Sequence, residues 1–187
     1  MIKSYREYLN ESAGVELTKE QKNWLDKCTK GTWQFNPQTG LVDVEGDFDC
    51  SEQGLDSFKR VRFGHVSGLF YCYYNNLTSL EGAPQSVGGD FVCYRNELTS
   101  LEGAPQSVGE DFWCYSNKLT SLKGFPIEIK GKINLSMNSI WYEIGPMMSG
   151  MSEDEKKFFL KFVAASEAID KESLTRIARS IERMRMI

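Results

Sequence analysis

The chain has 187 residues, with 22 Lys and Arg against 26 Asp and Glu for a formal net charge of -4. That length fits one domain, or one repeat array with end caps, and is short for two full domains. The acidic balance gives no overall electrostatic case for nucleic acid. No run approaches the roughly 18 unbroken apolar residues of a membrane span, and the opening lacks the apolar core of a secretory signal, so a soluble chain made in a cytoplasm, with no membrane partner, is expected.

In chain order, the first element is a short amphipathic helix: Tyr5, Tyr8 and Leu9 stand at i, i+3 and i+4 in K-S-Y-R-E-Y-L-N-E, residues 3–11. A segment this short is not stable as a helix alone. The string resembles the capsid-targeting sequence of internal head proteins of T-even-type tailed phages, which directs packaging into the prohead. The resemblance implies processing by a prohead protease after the glutamate of a Leu-x-Glu motif, matched here by Leu9 and Glu11, with Ser12 as the new first residue. The small residues Ser12, Ala13 and Gly14 would suit an accessible cleavage site. An ordinary fraying terminal helix is the alternative reading of the same residues.

Thr18 and Gln21 have capping-box spacing and open a helix carrying Trp24 and Leu25. T-W-Q-F-N-P-Q-T-G-L-V-D-V, residues 32–44, reads as a hairpin covering the first open edge of the repeat array. Next comes a degenerate unit that aligns Phe48, Cys50, Gln53, Leu55 and Phe58 with Phe70, Cys72, Asn75, Leu77 and Leu80.

The strongest signal is an internal repeat. L-T-S-L-E-G-A-P-Q-S-V occurs at 77–87 and again at 98–108, and L-T-S-L-K-G-F-P-I-E-I stands at 119–129, each 21 residues after the last. Fixed-period self-similarity is the mark of a solenoid. Asn75, Asn96, Asn117 and Asn138 mark the phase. Phe70, Phe91, Phe112 and Ile133, with Cys72, Cys93, Cys114 and Leu135, should point inward from short parallel strands. Each asparagine should bond backbone groups left unpaired where the chain bends. Glycine and proline in the return path exclude a helix there, so that side should be extended or turn-like. Five cysteines without a C-x-x-C pair, four of them at one repeat position, read as small buried hydrophobes rather than disulfides or a zinc site. The units resemble leucine-rich repeats of short bacterial and phage type over about 80 residues, with Phe91, Cys93, Asn96 and Leu98 at signature positions. Repeat architecture of this kind builds a surface, so binding is the expected role.

Outward from the strands stand Tyr71, Val92 and Trp113 in one column and Tyr73, Tyr94 and Tyr115 in the next, flanked by Asp90, Asp111 and Arg95. Stacking would make them an aromatic patch. Two readings remain side by side: a protein-binding surface, since Tyr and Trp dominate binding hot spots, or same-face ladders that stabilise the sheet. Chemistry is hard to find. The only histidine, His65, has no partner that spacing places beside it. Gly88-Gly89-Asp90-Phe91 is a turn leading into a strand, and the in-phase Asp47, Asp90 and Asp111 are interrupted by Leu69 and Lys132, against a calcium column. No cofactor and no metal are expected.

Ser152 and Glu155 open a helix with an apolar stripe of Phe158, Phe159, Phe162 and Val163. A second helix from near Asp170 sets Leu174, Ile177, Ala178 and Ile181 against Arg176, Arg179 and Arg183. The pair should cap the far end, or cover the aromatic face.

The expected fold is therefore a mainly β repeat solenoid, leucine-rich-repeat-like, with non-helical convex side and helical caps. Its segments are a leader at 1–11, an N-terminal cap at 12–66, the array at 67–145 and a C-terminal helical cap at 146–187. The expected function is non-enzymatic protein binding by a phage protein carried inside the head; the resemblance permits delivery to the host cytoplasm and a host factor as the partner, whose identity is not readable from the sequence. The alternatives are a cytoplasmic repeat protein never packaged, and a structural component inside the head whose arginine face meets DNA.

Overall fold

A computed structural model of the chain describes residues 16–165 and 171–184. The first described helix, α1 (Lys19–Cys28), starts at a capping box: Thr18 Oγ1 accepts from the Gln21 amide and Gln21 Oε1 accepts from the Thr18 amide. It buries Trp24, Leu25 and Cys28 and leads straight into a hairpin of β1 (Thr29–Asn36) and β2 (Leu41–Asp49). Asn36 shapes the turn by accepting from the Gln38 and Thr39 amides. Gly31 and Gly46 face each other across the hairpin with φ of 142° and 116°, and a Cβ on either would overlap the opposite backbone.

The hairpin does more than cover an edge. β2 is long enough to turn the first corner of the solenoid, so its two halves start two different ladders. Its N-terminal half pairs in parallel with β3 (Phe63–Val66), and that ladder continues through β5 (Ser86–Val87), β7 (Ser107–Val108) and β9 (Glu128–Ile129). Its C-terminal half pairs in parallel with β4 (Phe70–Tyr71), and then come β6 (Phe91–Val92), β8 (Phe112–Trp113) and β10 (Ile133–Asn134). β1 closes the outer edge of β2 along its whole length. The result is a parallel β-solenoid, mainly β, as the period predicts. The return path is extended, and it also forms a second parallel ladder, which the glycine and proline spacing leaves unspecified.

The interior is built from identical rows. Phe48, Phe70, Phe91 and Phe112 stack with centroids 5.4, 5.6 and 5.6 Å apart and interplanar angles of 15°, 5° and 12°. Cys50, Cys72, Cys93 and Cys114 line up beside them, all fully buried and unpaired. Leu77, Leu98 and Leu119, with Leu80, Leu101 and Leu122, close the third side of each coil. The asparagines connect the coils. Asn96 Nδ2 donates to the Cys72 carbonyl of the preceding coil at 2.9 Å, and its Oδ1 accepts from the Leu77 amide at 3.0 Å. Asn75, Asn117 and Asn138 repeat the pattern, each buried. At the same phase in the first coil, Gln53 instead ties the cap on, accepting from Trp24 Nε1 and contacting Cys28 Sγ.

After the last coil come α2 (Trp141–Ile144), a 3₁₀ turn (Gly145–Met148), α3 (Glu153–Ala165) and α4 (Lys171–Met184). Ser152 and Glu155 form the reciprocal cap of α3. Of its aromatic stripe only Phe159 is fully buried, together with Leu160, whereas Phe158 is 58% exposed. The helix buries a narrower face than its periodicity suggests. In α4, Leu174, Ala178 and Ile181 are buried, Ile177 is half-buried, and Arg176, Arg179 and Arg183 face outward.

Candidate functional site

The outward face of the β4–β10 ladder is a grid, because residues two apart along a strand share a face and in-phase residues share a column. One column reads Asp49, Tyr71, Val92, Trp113, Asn134, each paired in register with the next. To one side lies Asp47, Leu69, Asp90, Asp111, Lys132, and to the other Ser51, Tyr73, Tyr94, Tyr115, Ser136. The six residues expected as a binding surface, Tyr71, Tyr73, Val92, Tyr94, Trp113 and Tyr115, all line one open groove of about 550 Å³, which Asp90 and Asn134 complete.

The tyrosine column is ordered by contact. Tyr73 stacks on Tyr94 at 4.8 Å and Tyr94 on Tyr115 at 4.5 Å, both at 10°. The rings are half-buried by one another rather than fully exposed, and Val92 is only 6% exposed. Tyr71 packs edge-on against Tyr73 at 5.9 Å. In the middle column a short side chain lies between two large ones, so Val92 is the floor of a slot between Tyr71 and Trp113. Among the described residues, none of α3 or α4 lines it.

A fourth column borders the tyrosines. Tyr74, Arg95, Ser116 and Met137, each just before a phase asparagine, take positive φ of 50° to 58° without being glycine. This left-handed step throws their side chains outward. Arg95 lies over the Tyr74 ring at 4.7 Å, so it caps the edge of the aromatic face rather than flanking it as a free charge.

Each carboxylate of the acidic column has a structural duty on one oxygen. Asp47 Oδ1 accepts from the Leu69 amide, Asp90 Oδ1 from Asp111 and Asp111 Oδ1 from Lys132, tying each coil to the next. Asp49 and Asn134 close the two ends of the middle column by accepting from Ser51 and Ser136. Lys30 reaches Asp49 only at 4.0 Å, and Asp90 has no cationic partner among the described residues. The negative potential is felt by the phenol: burial, then the charges of Asp90 and Asp47, push Tyr71 above its ordinary value. Burial and the neighbouring tyrosines push Tyr94 up to about 12.

His65 does have a neighbour, because the 21-residue ladder spacing pairs it with Ser86, whose Oγ lies 2.8 Å from Nδ1. Asp43 accepts from the His65 backbone amide and not from the ring, so the geometry of a catalytic triad is not assembled there. Among the described residues no cluster of His, Cys, Asp or Glu could hold a metal ion, and no helix is long and apolar enough to cross a membrane. Leu9, Glu11 and Ser12 lie outside the described residues. The site a sequence reading misses is the slot itself. Its signal was present in the alternation Tyr, Val, Trp down one column, which grouping the six residues as one patch conceals.

Comparison with protein-family models, with curated proteins and with solved structures yields no match to this chain.

Proposed function

We propose that the chain is a non-enzymatic binding module that captures a protein partner through the aromatic groove of its solenoid. One observation carries this reading: an open groove of about 550 Å³ lined, among the described residues, by five aromatic side chains, Val92, Asp90 and Asn134. Tyr and Trp in a preformed concavity are the residues that supply most binding energy at low entropic cost. The rings are held by stacking and by the ladder beneath them, so little further order is lost on binding. The Tyr94→Ala, Trp113→Ala double variant should lose pull-down of the partner while its circular dichroism spectrum is retained. Undiminished capture by that variant would return the rings to a purely scaffolding role.

The setting we propose is a tailed-phage head. It is supported by the K-S-Y-R-E-Y-L-N-E string at 3–11, with Leu9, Glu11 and Ser12 placed as a prohead protease would need them. Under this reading the processed protein is packaged and travels with the genome into the host cytoplasm, where its partner is a host factor. Mass spectrometry of purified virions should find a peptide whose first residue is Ser12. Particles free of the protein would place its work in the cytoplasm where it is made.

A further inference from the structure

Within the groove, Val92 is the short side chain set between the two large ones of its column, Tyr71 and Trp113. Tyr71 and Trp113 stand one strand away on either side, roughly 9 to 10 Å apart at twice the strand spacing. Tyr94 and Asp90 belong to the same strand segment as Val92 and bound the slot along its other two sides. The slot thus has an apolar floor, three aromatic walls and one carboxylate wall. We infer that it receives the guanidinium of an arginine side chain presented by the partner polypeptide, an inference that rests on the protein-binding reading above and specifies its chemistry.

Three features select that occupant. Aromatic faces attract cations through the ring quadrupole, most strongly where water is excluded, and arginine also stacks through its plane. Two ring-bearing residues at twice the strand spacing leave room for one planar group between them, since a sandwich needs about 7–8 Å at 3.5–4 Å per contact. Asp90 spends Oδ1 on the Asp111 amide, and its second oxygen has no partner among the described residues. The neighbouring carboxylate of the column, Asp111, likewise accepts only from a backbone amide among the described residues. The charge awaiting neutralisation is negative, which disfavours a phosphate or an acidic peptide. The molecule already makes such a contact once, where Arg95 lies 4.7 Å from the Tyr74 ring centroid at the edge of the same face.

The test uses the full chain and three capped tripeptides, Gly-Arg-Gly, Gly-Lys-Gly and Gly-citrulline-Gly, the last being the neutral isostere of the first. The indole N–H signals of the four tryptophans are monitored by NMR, with Trp113 assigned from Trp113→Phe. The arginine peptide should shift the Trp113 signal at lower concentration than the lysine peptide, and the citrulline peptide should leave it in place. Asp90→Asn keeps an oxygen for the Asp111 amide and should weaken arginine binding about tenfold. Val92→Phe should fill the slot and abolish binding. Equal shifts from arginine and citrulline, an unchanged affinity in Asp90→Asn, or a shift produced only by a neutral oligosaccharide would each overturn the inference. If no tripeptide binds while the Tyr94→Ala, Trp113→Ala pair still abolishes partner capture, the guanidinium assignment fails and the protein-binding face stands.

Discussion

Asn96 shows how much a single buried side chain does in this fold. Its amide nitrogen bonds the carbonyls of Cys72 and Cys93, and its oxygen takes the Leu77 amide, so three backbone groups from two coils converge on one residue. Asn96→Ala would leave the Leu77 amide buried without a partner, costing about 1–3 kcal/mol, and would remove one of two side-chain donors from each carbonyl, since Asn75 still serves Cys72 and Asn117 still serves Cys93. A fall of about 3 kcal/mol in unfolding free energy is expected, read from the urea midpoint. Immediately before it, Arg95 sits at φ 53°, a backbone state unfavourable for L residues. Tyr94 adds a pH signature. Its phenol is raised from an ordinary value of 10 to about 12, so the neutral form is favoured by folding. The stabilisation is full below pH 10 and is lost as pH rises towards about 12. Tyr94→Phe should flatten the decline of the urea midpoint across that window, and the phenolate absorbance difference between the two proteins should develop near its upper end.

The elements here are short, most strands being two residues long, and hold only because each is repeated in register. That makes the corners as demanding as the strands. Gly124 has φ 85°, and a Cβ there would overlap the Leu101 carbonyl of the coil beneath. Gly124→Ala should cost about 2–4 kcal/mol, from the left-handed backbone and the overlap together, measurable as a lowered thermal midpoint. The cysteine row is a second consequence of stacking. Burial pushes the thiols of Cys50, Cys72 and Cys93 well above their ordinary value, and burial raises Cys28 despite the Gln53 contact. Thiolate is the reactive form, so the native protein should resist alkylation at these four positions, and at Cys114 because its side chain is fully buried, and should react fully once unfolded. Prompt labelling of Cys93 in the folded protein would contradict a closed interior.

At the scale of the whole molecule, a solenoid has two ends to protect, and this one does so differently at each. The N-terminal end uses an antiparallel strand and α1, pinned by Trp24, whose indole meets Gln53 and packs on Phe48 at 5.3 Å. The C-terminal end uses helices seated by Phe159 and Leu160. Phe159→Ser should therefore loosen the seat without touching the groove: partner capture persists, while light scattering shows association through the uncovered coil end. Among the described residues no helix lines the outward grid, so end protection and the proposed binding fall on separate surfaces.

The 21-residue period by itself determined the coil, the inward Phe and Cys rows, the asparagine bonding and the identity of the six grid residues, because a ladder forces equivalent positions into columns. The capping boxes at Thr18 and Ser152 were legible for the same local reason. Only the tertiary structure decided that β2 turns a corner and starts both ladders, since that depends on where Gly31 and Gly46 allow two backbones to meet. It likewise decided that His65 rests against Ser86, a contact made by a ladder whose strands carry no clear pattern of their own. It also decided that, among the described residues, none of α3 or α4 lines the groove, because helix placement depends on which side chains find an apolar seat, and Phe159 and Leu160 find theirs in the common core.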